Sequence, residues 1–169
     1  EAHVLLDALE GRTGGLIALT GGGEGALARL LAENQPVEAY ADRLEALFPG
    51  RLYVELSRRG DAVEEAAEAE LIALAYARAL PLVATNPAAY ADPAFHTAHD
   101  AMLCIAQSSQ IARDDRQRSS PELWMKPAQD MRQLFADLPE AIANTAVIAR
   151  RCAFAAPQRK PILPRTAGD

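Results

Sequence analysis

Apolar positions recur along the chain in two rhythms. Residues 52–57 alternate strictly, with Leu52, Val54 and Leu56 on one side and Tyr53, Glu55 and Ser57 on the other, which predicts a strand with one aliphatic and one polar face. Residues 16–19 and 82–85 are short, mainly apolar runs bounded by glycines or prolines and predict two further strands, the first of them buried. Elsewhere the spacing is helical. Residues 4–9 predict the end of a helix halted near Gly11. Leu27, Leu30 and Leu31 mark a second helix, and Tyr40, Leu44 and Leu47 a third, which lies between Pro36 and Pro49-Gly50. Val63, Ala67, Leu71, Leu74 and Ala75 form the stripe of the next helix, with Asp61 as its N-cap and Glu64 placed to complete a capping box.

A helix over residues 95–107 follows the third strand. A polar connector over 108–120 then carries Arg113, Asp114, Asp115, Arg116 and Arg118 and predicts a solvated loop. Met131, Leu134 and Phe135 belong to a helix with Pro127 at its first position. The last helix has Asp137 as N-cap, Glu140 at its third position and a stripe of Ile142, Thr145, Ile148, Ala149 and Cys152. Strands separated by helices imply an α/β fold with parallel strands and crossover helices, followed by C-terminal helices.

Composition narrows the function classes. At 169 residues with 50% hydrophobic content, the chain has enough apolar material for one core, as a domain or as part of a larger one. A net charge of -6 argues against nucleic acid as the main partner of this segment, because phosphate contacts need clustered Lys and Arg. No apolar run reaches the length of a membrane span and no signal-peptide pattern is visible. The chain starts at Glu1 in mid-pattern, as an excised piece would. Cys104 and Cys152 lie far apart on apolar helix faces and predict buried free thiols in a reducing compartment.

Three places could carry chemistry. Residues 20–25, Thr-Gly-Gly-Gly-Glu-Gly, form a strand-to-helix turn of the kind that can cradle phosphate, but they lack the spacing of a dinucleotide fingerprint and the Lys of a P-loop, so a tight turn is expected. Glu55 on the polar face of its strand is either a metal ligand or an inward carboxylate paired with a neighbouring Arg or water; one carboxylate cannot hold a divalent cation. His96 and His99 share a helix face near Asp92 and Asp100. They suit either a structural metal or, with no further ligand evident, a strand–helix junction hydrogen-bonded to backbone.

The sequence around the third strand resembles the PHP (polymerase and histidinol phosphatase) domain of bacterial DNA polymerase III alpha subunits. Many members with an intact metal site carry Thr-Asn-Asp-x-His-Tyr there. This chain has Thr85, Asn86, Pro87, Ala88, Ala89 and Tyr90, with Pro87 at the Asp place and Ala89 at the His place. Gly22 stands where the family often has a Cys near the metal pocket, Glu55 matches the Glu of a Tyr-Leu-Glu motif, and Ala98-His99-Asp100 repeats a family triplet. The most specific match is residues 134–145 with 148–152, which resemble Leu-Phe-x-Asp-x-Pro-Glu-Ala-x-x-Asn-Thr followed by Ile-Ala-x-x-Cys.

The resemblance covers about residues 5–164. It implies that residues 1–156 are the C-terminal portion of a PHP-type (β/α) barrel and that 157–169 are a linker toward a polymerase core. Such a partial barrel is expected to form an open layer or to pair its edges with another copy. Gly22, Glu55, Pro87, Ala89 and His99 would be a vestigial pocket, with no catalytic residue and no metal or other cofactor bound by this segment. Magnesium would serve the parent polymerase elsewhere. The implied role is a non-catalytic structural module of a cytoplasmic replicative polymerase. Its expected partners are the rest of that chain and the proofreading exonuclease subunit, with DNA met mainly through other domains and no membrane. The alternative is a metal-dependent phosphoesterase or 3'-5' exonuclease.

Overall fold

A computed structural model describes residues 4–159 of the chain. Three parallel strands, β1 (Ala18–Leu19), β2 (Leu52–Leu56) and β3 (Leu82–Ala84), lie side by side in chain order. Helices α1 (Ala26–Ala32) and α2 (Glu38–Leu47) connect β1 to β2, and α3 (Ala62–Ala77) connects β2 to β3. Beyond the sheet come α4 (His96–Ala106), α5 (Ala128–Leu134) and α6 (Pro139–Arg151). The α/β alternation and the parallel crossovers follow the sequence pattern. Among the described residues the sheet remains an open layer, with one neighbour for each outer strand, and does not close into a barrel.

The aliphatic face of β2 meets the helices as its alternation requires. Leu52, Val54 and Leu56 join Leu27, Ala28, Ala41, Leu44, Ala67, Leu71 and Ala75 in one buried cluster that extends to Leu82, Ala84, Phe135, Leu138 and Ala141. Tyr53 on the opposite face is also buried, under the guanidinium of Arg151, which donates to its hydroxyl at 2.9 Å. Asp61 caps α3, accepting from the amides of Val63 at 3.0 Å and Glu64 at 3.1 Å.

Several expectations need correction. Residues 4–9 contain only a short 3-10 turn over Leu6–Leu9. The run 16–19 yields a two-residue strand with Leu16 and Leu19 exposed, because β1 lies at the sheet edge. Pro127 sits at the cap position of α5 rather than inside it. Asp137 does not cap α6: the cap position is Leu138, and the Asp137 carboxylate is taken by Arg58 at 2.6 and 2.7 Å. The buried side of α6 is displaced from the expected stripe, with Ala141 buried and Thr145, Ala149 and Cys152 exposed. The reason is Asn144, which turns toward the sheet and donates to the Leu82 carbonyl at 2.7 Å. That carbonyl points away from β2, so α6 covers the β3 edge, and among the described residues the free edge is that of β1. Cys104 is buried as expected, whereas Cys152 is not. Residues 157–159 are exposed and irregular, and the remainder of the expected linker, 160–169, lies outside the described residues.

Candidate functional site

The three strands end at one place, and Glu55 ties them together. Its carboxylate accepts from the Gly21 amide after β1 at 3.0 Å and from the Thr85 hydroxyl after β3 at 2.7 Å. Its own amide donates to the Thr20 hydroxyl at 2.9 Å. Among the described residues no arginine pairs with Glu55; its carboxylate partners are a backbone amide and a hydroxyl. The turn that delivers Gly21 needs glycine for backbone reasons. Gly21 has φ +88°, and a Cβ on Gly25 would stand 1.8 Å from the Thr20 carbonyl oxygen. Backbone conformation at Gly21 and Gly22 and close packing at Gly23 and Gly25 thus account for the glycines of residues 20–25.

A cavity of about 230 Å³ opens beside this knot, lined by residues that include Gly22, Glu55, Ser57, Arg59 and Pro87. Gly22, Glu55 and Pro87 of the expected vestigial pocket therefore do come together. Ala89 and His99 do not line it. The Ala89 amide donates to the Leu123 carbonyl at 2.8 Å, and His99 Nδ1 lies 2.7 Å from the Ser119 hydroxyl. Among the described residues, no three His, Cys, Asp or Glu side chains converge as metal ligands would. Glycine and proline offer no side-chain lone pair, and both carboxylate oxygens of Glu55 already accept a hydrogen bond. The residues present do not fit a divalent cation.

Behind the cavity, Glu64 is 1% exposed and accepts from both the amide and the hydroxyl of Ser57, the latter at 2.5 Å. It does not reach back to close a capping box, because the end of β2 takes its carboxylate. Arg58 connects elements distant in sequence. It bonds Glu68 on α3, Asp137 and the Leu134 carbonyl, and it stacks 4.7 Å over Phe135. The Arg58 guanidinium holds the Asp137 carboxyl below the usual carboxylate range.

The histidines form a separate clasp on α4. His96 Nε2 lies 3.1 Å from the Ser119 carbonyl, and the Tyr90 ring lies beside both imidazoles. Asp100 receives two bonds from Arg116, at 2.8 and 2.6 Å, and one from the Ser119 amide at 2.9 Å. Those partners, Arg116 first, hold its carboxyl well below the ordinary value. Asp92 is consumed by the Ala94 amide. The cluster that resembled a metal site by spacing is thus the anchor of the connector, and the junction reading with backbone bonding is the one the geometry fits.

The chain is similar in sequence to DNA polymerase III alpha subunits of several bacteria. Over 152 residues, 89% of its length, the chain is 50% identical to DNA polymerase III subunit alpha of Caulobacter vibrioides. The chain is homologous to a stretch of DNA polymerase III subunit alpha. The alpha subunit of Rickettsia bellii is 36% identical over 167 residues, and that of Escherichia coli K12 is 38% identical over 141. The chain spans 13%, 14% and 12% of these three alpha subunits. No protein-family model matches it. No helix among the described residues is long and apolar enough to cross a membrane.

Sequence reasoning missed the partners rather than the positions. Thr20 and Thr85 both directly follow strands, which is where side chains meet at the end of a parallel sheet. Glu64, read from sequence as a capping-box residue, stands in helical register with Ala67, Leu71 and Ala75, and that register was the available signal for its burial. Arg58, Ser119 and Arg116 carried no local signal, because each acts on residues distant in sequence or lies in an irregular segment.

Proposed function

We propose that this stretch is the C-terminal portion of a PHP domain serving as a non-catalytic structural module within a replicative DNA polymerase III alpha subunit. In this reading the whole polypeptide is a DNA-directed DNA polymerase whose chemistry and magnesium ions belong to other domains. The stretch supports the polymerase core and contributes to holding the proofreading exonuclease subunit. The observation that carries the reading is the occupied carboxylate of Glu55 beside Gly22 and Pro87. A pocket placed at the strand ends, where ligands are usually bound, has Glu55 committed to holding strands together and its other acidic group, Glu24, paired with Arg59.

The decisive experiment uses the full-length alpha subunit and its Glu55→Gln variant, with metal content and primer extension measured on both. Glutamine can accept from the Gly21 amide and donate to Thr85, so the expected result is retained primer extension and an unchanged metal content. Stoichiometric zinc or manganese that disappears with Glu55→Gln would restore the phosphoesterase or exonuclease alternative. Co-purification of the proofreading subunit with the full chain, lost when this stretch is deleted, checks the partner.

A further inference from the structure

A cleft of about 580 Å³ opens between α1, the start of α3 and the connector after α4. It is distinct from the cavity beside Glu55: the two share Gly23, Glu24 and Arg59, but Glu55, Ser57 and Pro87 do not line the larger one. Its charged lining divides into committed and available groups. Arg59 is held by Glu24 at 2.8 Å and by Asp61 at 3.4 Å, and Asp61 also caps α3, so these three serve the fold. Arg29 on α1 and Glu33 at its C-terminal end are exposed and four positions apart. Among the described residues, neither side chain has an ion-pair or hydrogen-bond partner. Arg118 pairs with Asp114, which does not line the cleft, at 3.1 Å; the arginine is 56% exposed and the aspartate fully so, and such a pair yields readily to a ligand.

Two available guanidinium groups and one available carboxylate define what fits. A cation meets the two arginines, and a bare oxyanion leaves Glu33 unmatched. A ligand with an oxyanion at one end and a hydroxyl donor at the other satisfies both. A nucleoside monophosphate is divided in this way, with a phosphate for guanidinium forks and a sugar hydroxyl for a carboxylate. The volume lies within the range of about 300–1,000 Å³ usual for small-molecule sites. No aromatic side chain lines the cleft, so the phosphate rather than base stacking carries the affinity. We propose that this cleft binds a free deoxynucleoside phosphate, with Arg29 and Arg118 on the phosphate and Glu33 on the sugar 3'-hydroxyl. The choice of deoxyribose rests on the polymerase function proposed above. Within a DNA strand the 3'-oxygen is esterified and has no proton to donate, so Glu33 selects the monomer.

The test is photolabelling of the full-length alpha subunit with 8-azido-2'-deoxyadenosine 5'-monophosphate, the label being located by peptide mass. Label is expected on peptides from residues 23–33 or 117–123, displaced by unlabelled deoxyadenosine monophosphate and not by deoxyadenosine. Arg29→Gln combined with Arg118→Gln should lower it about tenfold or more, as loss of charge-assisted hydrogen bonds requires. Both arginines are exposed, and unchanged primer extension by the double variant confirms that it is folded. Label confined to peptides outside residues 1–169, or label unaffected by the two substitutions, would overturn the proposal. So would displacement by a single-stranded oligonucleotide as effective as that by the monophosphate, which would assign the cleft to a DNA strand. Primer extension separates this proposal from the preceding one: label in the cleft of a chain that extends no primer removes the polymerase reading alone, and label elsewhere on an active polymerase removes the cleft alone.

Discussion

Glu64 is the residue on which the end of β2 depends. Truncation by Glu64→Ala would leave the amide and hydroxyl of Ser57 buried without an acceptor, at a cost of about 2–3 kcal/mol. Glu64→Gln keeps an acceptor and should lose markedly less. Denaturant unfolding of the two variants checks the ordering, and equal losses would show that the hydrogen bonds to Ser57 are not what the site requires. Arg58 acts over a longer distance, joining α3 to the chain that enters α6. Removing it with Arg58→Ala breaks charged hydrogen bonds to Glu68 and Asp137 and frees the Leu134 carbonyl, which should cost roughly 2–3 kcal/mol. A loss of only a few tenths by the same assay would place Arg58 among ordinary surface ion pairs.

At the scale of elements, the caps and clasps decide which boundaries hold. Asp61→Ala should shorten α3 from its N-terminus and cost about 1 kcal/mol, read as faster amide exchange at Val63 and Glu64 with the rest of the helix unchanged. The connector after α4 depends on Asp100, whose folded pKa is depressed by Arg116 and the Ser119 amide. A depressed carboxylate pKa stabilises the folded form fully above the unfolded value, near about 4, and that contribution is lost as pH falls below it toward the folded value. Exchange of the Ser119 amide should therefore stay slow from neutrality to about pH 4 and accelerate below it. In Asp100→Ala, which removes the acceptor, it should be fast throughout. A variant that retains slow exchange at neutral pH would show that the connector is held by His96 and His99 instead.

For the molecule as a whole, the consequential feature is an asymmetric sheet. The β3 edge is sealed by Asn144 of α6, whereas β1 leaves Leu16 and Leu19 exposed beside an unpaired edge. Residues 1–169 prepared alone should accordingly self-associate as concentration rises, and Leu19→Lys should suppress it by placing a charge at the edge. Light scattering that shows a monomer at every concentration would indicate that two residues of edge are too short to recruit a partner.

The sequence by itself determined the parallel α/β alternation and the aliphatic face of β2, because side-chain period and the positions of glycine and proline act locally, while the strand order came from the structure. It also placed Gly22, Glu55 and Pro87 at the strand ends and showed that two of them lack coordinating side chains. Only the tertiary structure decided what Glu55 and the α4 histidines bond to and why Asp137 serves Arg58 rather than α6. Those outcomes depend on groups brought together from up to 79 positions apart, as with Arg58 and Asp137, and no local rhythm records such pairings.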